Sequence, residues 1–143
     1  FSKIYALGGL RIGWGYSSMQ NILKLYQYKK PFNVSRLSCV AATEALKDQQ
    51  WISRSIKNNQ NNKKYTINNL NNSLFKTIDT SANFILLEFS HEKIANKFVK
   101  FLYTNKITVR HLASYRLPKH VRITIGSLNE MKKTTKISNS FDV

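Results

Sequence analysis

The stretch ANFILLEFSHEKIANKFVKFLYTNKITVR, residues 82–110, decides the fold class. Its first eight residues, Ala82 to Phe89, form a short apolar run rich in strand formers, which predicts a β-strand. Ser90 can cap a helix running to Asn105, with Ile94, Phe98 and Leu102 stacked at i, i+4 and i+8. Lys106 to Arg110 and Val121 to Ile125 read as two further strands joined by the loop His111 to His120. Ser127 with Glu130 makes a capping box and opens a last helix, whose apolar pattern is lost after Ile137. The order strand, helix, strand, strand, helix describes a small α+β layer.

Working outward, Asp48 to about Asn72 reads as a long polar helix. Eight asparagines fall in the fifteen positions 58–72, so this helix is expected to bulge or fray. Before it, Asn33 can cap a helix from Arg36 to Leu46, whose Cys39, Ala41, Ala42 and Ala45 permit close packing. Ser17 with Gln20 suggests a capping box for a helix from Met19 to Lys29, which Pro31 ends. Phe1 to Gly15 (FSKIYALGGLRIGWG) reads as a loop, a tight turn at Gly8-Gly9 and a buried strand around Arg11 to Trp14. Nothing before Asp48 looks like a complete domain. The expected division is therefore residues 1–47 and residues 48–143.

Composition narrows the function classes. Of the 143 residues 42% are hydrophobic and 12% aromatic, which excludes a wholly disordered chain. No apolar run approaches the roughly 18 residues of a membrane span. The single cysteine, Cys39, cannot form an internal disulfide or complete a zinc site, and a reducing cytoplasm is the expected compartment. His91, His111 and His120 share no metal-ligand spacing with it, so no metal site is expected. Twenty-three Lys and Arg against seven Asp and Glu leave a net charge of +16, which alone suggests a polyanion partner. Seventeen of those cations are lysines scattered along the chain, however, and no nucleic-acid motif accompanies them. Joint enrichment in Lys, Asn and Ile fits compositional drift better than a binding device. Trp14, Tyr16, Tyr26 and Tyr28 read as core and dimer packing rather than a base-stacking platform.

The densest chemistry lies at Ser2, Lys3, the glycine pair and Arg11. A lysine among small and apolar residues can be desolvated into a usable amine nucleophile toward an aldehyde. An arginine offers a planar fork to a phosphate, and a neighbouring hydroxyl adds one donor. The set suits pyridoxal phosphate, an aldehyde that carries a phosphate. The plain alternative is an exposed lysine and a surface arginine near a turn.

The segment SKIYALGGLRIGWG resembles the cofactor-lysine signature of class I/II aminotransferases, which are fold-type I enzymes dependent on pyridoxal 5'-phosphate. The resemblance implies an α/β fold, with this chain as a C-terminal fragment: the end of the large domain plus the α+β small domain. Lys3 would then hold the cofactor covalently and serve as proton-transfer base, with Ser2 and Arg11 on the cofactor phosphate. KITVRHLASYRLPKHVRITIGSLNEM and KPFNVSRLSCVAATEAL further resemble segments of the histidinol-phosphate aminotransferases, extending the likeness to about Lys133. By that match Arg122 would bind the acidic end of the substrate, the carboxylate of glutamate or the phosphate ester of histidinol phosphate, and Arg110 would assist with the phosphate. The implied reaction exchanges an amino group between glutamate and imidazole-acetol phosphate, in a homodimer. Two arginines on neighbouring strands can share one dianion; the alternative for each is an ordinary salt bridge to Glu88 or Glu92.

Arg116 and His111 depart from the resemblance, standing where the family usually has Gly and Pro. Arg116 brings a further cation toward the substrate, or forces a different turn if the glycine was needed for positive φ. The groups that tune the cofactor ring in this family, an Asp on the pyridinium nitrogen and an aromatic stacked on the ring, cannot be assigned in this sequence.

Overall fold

The computed structural model describes residues 1–142. The chain divides into two compact units, Phe1–Ile56 and Lys57–Val143, with the boundary inside one long helix.

The first unit opens with a turn in which the Ala6 amide donates to the Lys3 carbonyl, followed by a single 3-10 turn at Gly8–Leu10. The strand expected at Arg11 to Trp14 does not form. An isolated strand without a ladder partner has no means of satisfying its backbone, and Gly13 and Gly15 offer no side chains to pack. Helix α1 spans Met19–Tyr28, and its cap is Ser18, whose hydroxyl accepts from the Asn21 amide; Ser17 instead accepts from the Asn21 side chain. Helix α2, Arg36–Lys47, is capped by Ser35 rather than Asn33, because it is the Ser35 hydroxyl that accepts the Ser38 amide. Trp14, Tyr16, Tyr26 and Tyr28 are exposed, Trp14 at 71%, and so form no part of a core within this chain. Helix α3, Gln49–Asn69, begins in this unit.

In the second unit the asparagine-rich helix runs regularly to Asn69 instead of fraying. Bonds to distant parts of the unit hold this segment. Asn62 Nδ2 donates to the Gly126 carbonyl at 2.9 Å, and Asn139 Nδ2 donates to the Asn69 carbonyl at 2.8 Å. Just past the helix, Asn72 Nδ2 donates to the Phe141 carbonyl at 2.8 Å. These long-range bonds offset the poor helix propensity of Asn.

A four-stranded antiparallel sheet follows, in the order β1-β2-β4-β3. Its strands are β1 (Phe75–Ile78), β2 (Phe84–Phe89), β3 (Arg110–His111) and β4 (His120–Thr124). Strand β1 was absent from the sequence reading, and the expected strand at Lys106 to Arg110 reduces to two paired residues. Helix α4 is Glu92–Thr104 and α5 is Leu128–Asn139. The cap of α4 is His91 without a side-chain bond, not Ser90, whereas the Ser127–Glu130 capping box of α5 is present in both directions.

Alternation along the strands separates the two faces of the sheet. Ile85, Leu87, Phe89, Val121 and Ile123 point inward and meet Ala95, Phe98 and Leu102 of α4. Phe98 is fully buried and packs its ring against Phe75, Phe89 and Phe141 at centroid distances of 5.6, 5.1 and 5.2 Å. The opposite face carries Leu86, Glu88, His120, Arg122 and Arg110. Among the described residues no helix is long and apolar enough to cross a membrane.

Candidate active site

In the first unit, Ser2 and Arg11 gather on Gly8. A Cβ built on Gly8 would lie 3.3 Å from the Ser2 carbonyl oxygen, so only glycine lets the turn close against Ser2 without a shift. Arg11 Nη1 donates to the Gly8 carbonyl at 2.7 Å. Arg11 itself follows the 3-10 turn in the left-handed conformation, φ 50° and ψ 41°.

Helices α2 and α3 pin the residues beside these groups. Ser38 Oγ donates to the Leu10 carbonyl at 2.9 Å, next to Arg11. Trp51 Nε1 donates to the Ile4 carbonyl at 2.7 Å, next to Lys3. Sequence reading missed both, because the bonds span 28 and 47 positions and no local pattern announces them.

Lys3 is exposed, so the burial expected to make it a free amine is not supplied by residues 1–142. Neither Lys3 nor Arg11 forms an ion pair with a carboxylate among the described residues. Ser2, Lys3 and Arg11 thus flank one tight turn, bringing a hydroxyl, an amine and a guanidinium to this short segment. That donor set fits a phosphate-bearing aldehyde such as pyridoxal phosphate.

In the second unit, β3 and β4 place Arg110 and Arg122 directly opposite each other in the ladder. Arg122 is half-buried, its guanidinium 5.4 Å from the centre of the Phe84 ring, and its Nε is buried without a hydrogen-bond partner. Arg110 is exposed and lies 5.9 Å from the centre of the Tyr115 ring. Neither arginine pairs with Glu88 or Glu92. Glu88 instead approaches His120 Nε2, its direct partner in the ladder, at 4.0 Å. Like charges directly across a ladder destabilise it, and an anion shared by the two arginines would offset that cost.

The loop between these strands is tightly bonded. His111 Nε2 bonds the Pro118 carbonyl at 2.7 Å, and the Leu117 amide donates to the Leu112 carbonyl at 3.2 Å. Arg116 does occupy a left-handed position, φ 60° and ψ 28°, without disturbing that closure. No group of three His, Cys, Asp or Glu able to hold a metal ion occurs among the described residues.

Comparison with known proteins settles the family. The profile of the family described as Aminotransferase class I and II matches residues 1–136. The chain belongs to that family. Histidinol-phosphate aminotransferase of Ruegeria pomeroyi is 39% identical over 126 residues, covering 88% of this chain and 35% of the relative. The enzyme of the same name from Zymomonas mobilis is 39% identical over 143 residues, covering 98% of this chain and 39% of its own length. The chain thus spans well under half the length of these curated relatives. Among solved structures, histidinol-phosphate aminotransferase from Sinorhizobium meliloti, in complex with pyridoxal-5'-phosphate, superposes with a TM-score of 0.87 at 23% identity. That match covers 97% of this chain and 38% of the other. L-threonine-O-3-phosphate decarboxylase from Porphyromonas gingivalis gives 0.81 at 23% identity, covering 96% and 43%. The aminotransferase-family chain accordingly has the α/β fold of the fold-type I transferases, represented by a C-terminal fragment.

Proposed function

We propose that this chain is the C-terminal part of a pyridoxal-phosphate-dependent aminotransferase of the histidinol-phosphate type. It would exchange an amino group between glutamate and imidazole-acetol phosphate, giving 2-oxoglutarate and histidinol phosphate. In this reading residues 1–47 end the large domain and residues 48–143 form the small domain. The protein acts on small molecules in the cytoplasm as a homodimer, with no specific nucleic-acid partner and no membrane.

The observation that carries the reading is the Arg110–Arg122 couple, two arginines at directly opposed ladder positions, neither of them paired with Glu88 or Glu92. Like charges so placed are unfavourable, and a shared anion would offset that cost. Arg122 receives the acidic end common to both substrates, and Arg110 adds charge for the phosphate ester. Lys3 Nζ would hold pyridoxal phosphate, with Ser2 and Arg11 on its phosphate, and the bound group would supply an electron sink for charge at the substrate Cα. Lys3 would also serve as the base that moves the proton at that Cα.

The test is an assay of the complete protein on histidinol phosphate with 2-oxoglutarate, against phenylalanine and against carbon dioxide release from threonine phosphate. Transamination fastest on histidinol phosphate is expected, and Lys3→Ala should abolish it. Near-normal turnover by that variant, or preference for either competitor, would sink the assignment.

A further inference from the structure

We propose that Arg116 is a specificity-determining residue, a third cation that makes the Arg110–Arg122 couple select a phosphate dianion over a carboxylate. The inference rests on the reading of that couple as the acidic-substrate site and names a residue which that reading leaves unused.

The first support is conformational. Arg116 is held at φ 60° and ψ 28°, a region that residues with a Cβ adopt reluctantly and glycine adopts freely. Ala6, Phe32 and Lys106 share that region, but Arg116 is the one that stands on the hairpin carrying Arg110 and Arg122, where its side chain is open to a use. Nothing among the described residues supplies that use. The Arg116 amide donates to the Ala113 carbonyl at 2.9 Å, a bond any residue but proline would make. Its guanidinium forms none of the side-chain hydrogen bonds, ion pairs or ring contacts found among the described residues, and it is exposed.

The second support is repetition. Arg11 also follows a single 3-10 turn in the left-handed conformation, and it stands among the donors that fit a phosphate. The turn Ala113–Tyr115 followed by Arg116 repeats that local device in the second unit. At the first turn the Arg11 guanidinium donates back to the Gly8 carbonyl, whereas the Arg116 side chain makes no such bond among the described residues and stays open to a ligand.

The third support is place. Tyr115, the residue before Arg116, lies against the Arg110 guanidinium, and Arg110 is the ladder partner of Arg122. Bonds from Leu117 to Leu112, from His120 to Leu117 and from His111 to Pro118 fix the loop that carries Arg116. One hairpin therefore presents three arginines. A carboxylate has two oxygens and one charge, which Arg122 and Arg110 can satisfy. A phosphate ester has three terminal oxygens and a second charge, so a third guanidinium is rewarded only there.

The experiment uses the 15N-labelled 143-residue chain, titrated with inorganic phosphate and with acetate at matched ionic strength, above the second ionisation of phosphate. Amide shifts of Tyr115, Leu117 and Val121 report the hairpin, while Leu10 and Ile12 report the Arg11 turn separately. Arg116→Gly should lose roughly 5- to 20-fold in phosphate affinity at the hairpin and change acetate affinity less than about twofold. Arg116→Lys should retain most of the phosphate affinity, and the response at Leu10 and Ile12 should not move. The glycine variant accepts the same backbone, so misfolding does not cloud the result. Undiminished phosphate binding, equal losses for both anions, or no response of the wild-type hairpin would each overturn the proposal. Absence of transamination in the assays above would overturn the enzymatic reading alone, because these titrations need no turnover.

Discussion

Replacing Arg122 by methionine should make the second unit more stable while damaging substrate binding. Methionine keeps an unbranched stem to pack against Phe84 and Leu86 but removes the charge. Three terms enter. Relief of like charge across the ladder from Arg110 is worth up to about 1 kcal/mol. Removing the buried, unpartnered Nε recovers about 1 kcal/mol or more. Loss of the cation–π contact with Phe84 costs about 0.5–1 kcal/mol. The net is a stabilisation of roughly 0.5–1.5 kcal/mol. In the complete enzyme the same change removes a charge-assisted bond to the acidic substrate, about 1.5–3 kcal/mol, so KM should rise about 10- to 150-fold. Native-state hydrogen exchange of the Val121 and Ile123 amides across a urea series reads the stability of β4 directly. If Arg122 instead served a hidden structural ion pair, its removal would cost several kcal/mol. A variant destabilised by even 1 kcal/mol, or one with unchanged KM, would refute the reasoning.

Two further changes probe how the site is held and how the fold responds to acid. Ser38→Ala deletes the bond to the Leu10 carbonyl, leaving a part-buried acceptor beside Arg11. Stability should fall by about 1 kcal/mol and cofactor affinity in the complete protein several-fold with kcat nearly kept; cofactor loading equal to wild type would exclude a positioning role. Glu130 has its carboxyl held below the ordinary 4.5 by the Ser127 hydroxyl and then by the Ser127 amide. A depressed folded value means its stabilising effect is complete above the unfolded value and is lost as pH falls through the folded one. Asp79 shifts the same way, chiefly through its bond from Lys63. The urea midpoint of the second unit should therefore drop below pH 4.5, and less steeply in Ser127→Ala; identical slopes would show that the capping box carries none of the effect.

What could be read from the sequence was what local pattern controls. The apolar run Phe84 to Leu87, the stripe Ile94, Phe98, Leu102 and the Ser127–Glu130 box each announce an element within a few residues, and each stands in the structure. Strand β1 escaped because FKTI is only four residues long and becomes a strand by pairing with β2. Residues 11–14 misled for the converse reason, since a short apolar segment punctuated by glycine is no strand without a neighbour. The asparagine run looked like a frayed helix because the bonds that hold it reach Gly126, Asn139 and Phe141, far along the chain. At the candidate site, Lys3, Ser2, Arg11, Arg110 and Arg122 were legible as residue types in resembling segments. Their supports were not. The ladder register that sets Arg110 against Arg122, and the bonds from Ser38 and Trp51, exist only once distant segments meet.

One unfavourable feature of this chain stands apart. Left-handed backbone occurs at Ala6, Arg11, Phe32, Lys106 and Arg116 alike, whatever their side-chain chemistry, but arginine opposes arginine across β3 and β4. That opposition costs free energy, and an anion with several oxygens shared by the two would relieve it. Stability is supplied by parts with no such role: the ring cluster around Phe98, the capping box of α5 and the asparagine bonds of α3. Like charge opposed across a ladder is what would set the proposed anion site apart from general basicity. The scattered lysines account for most of the positive charge, and no two of them are partners in the described strand pairs, so the proposal does not rest on the net charge of +16.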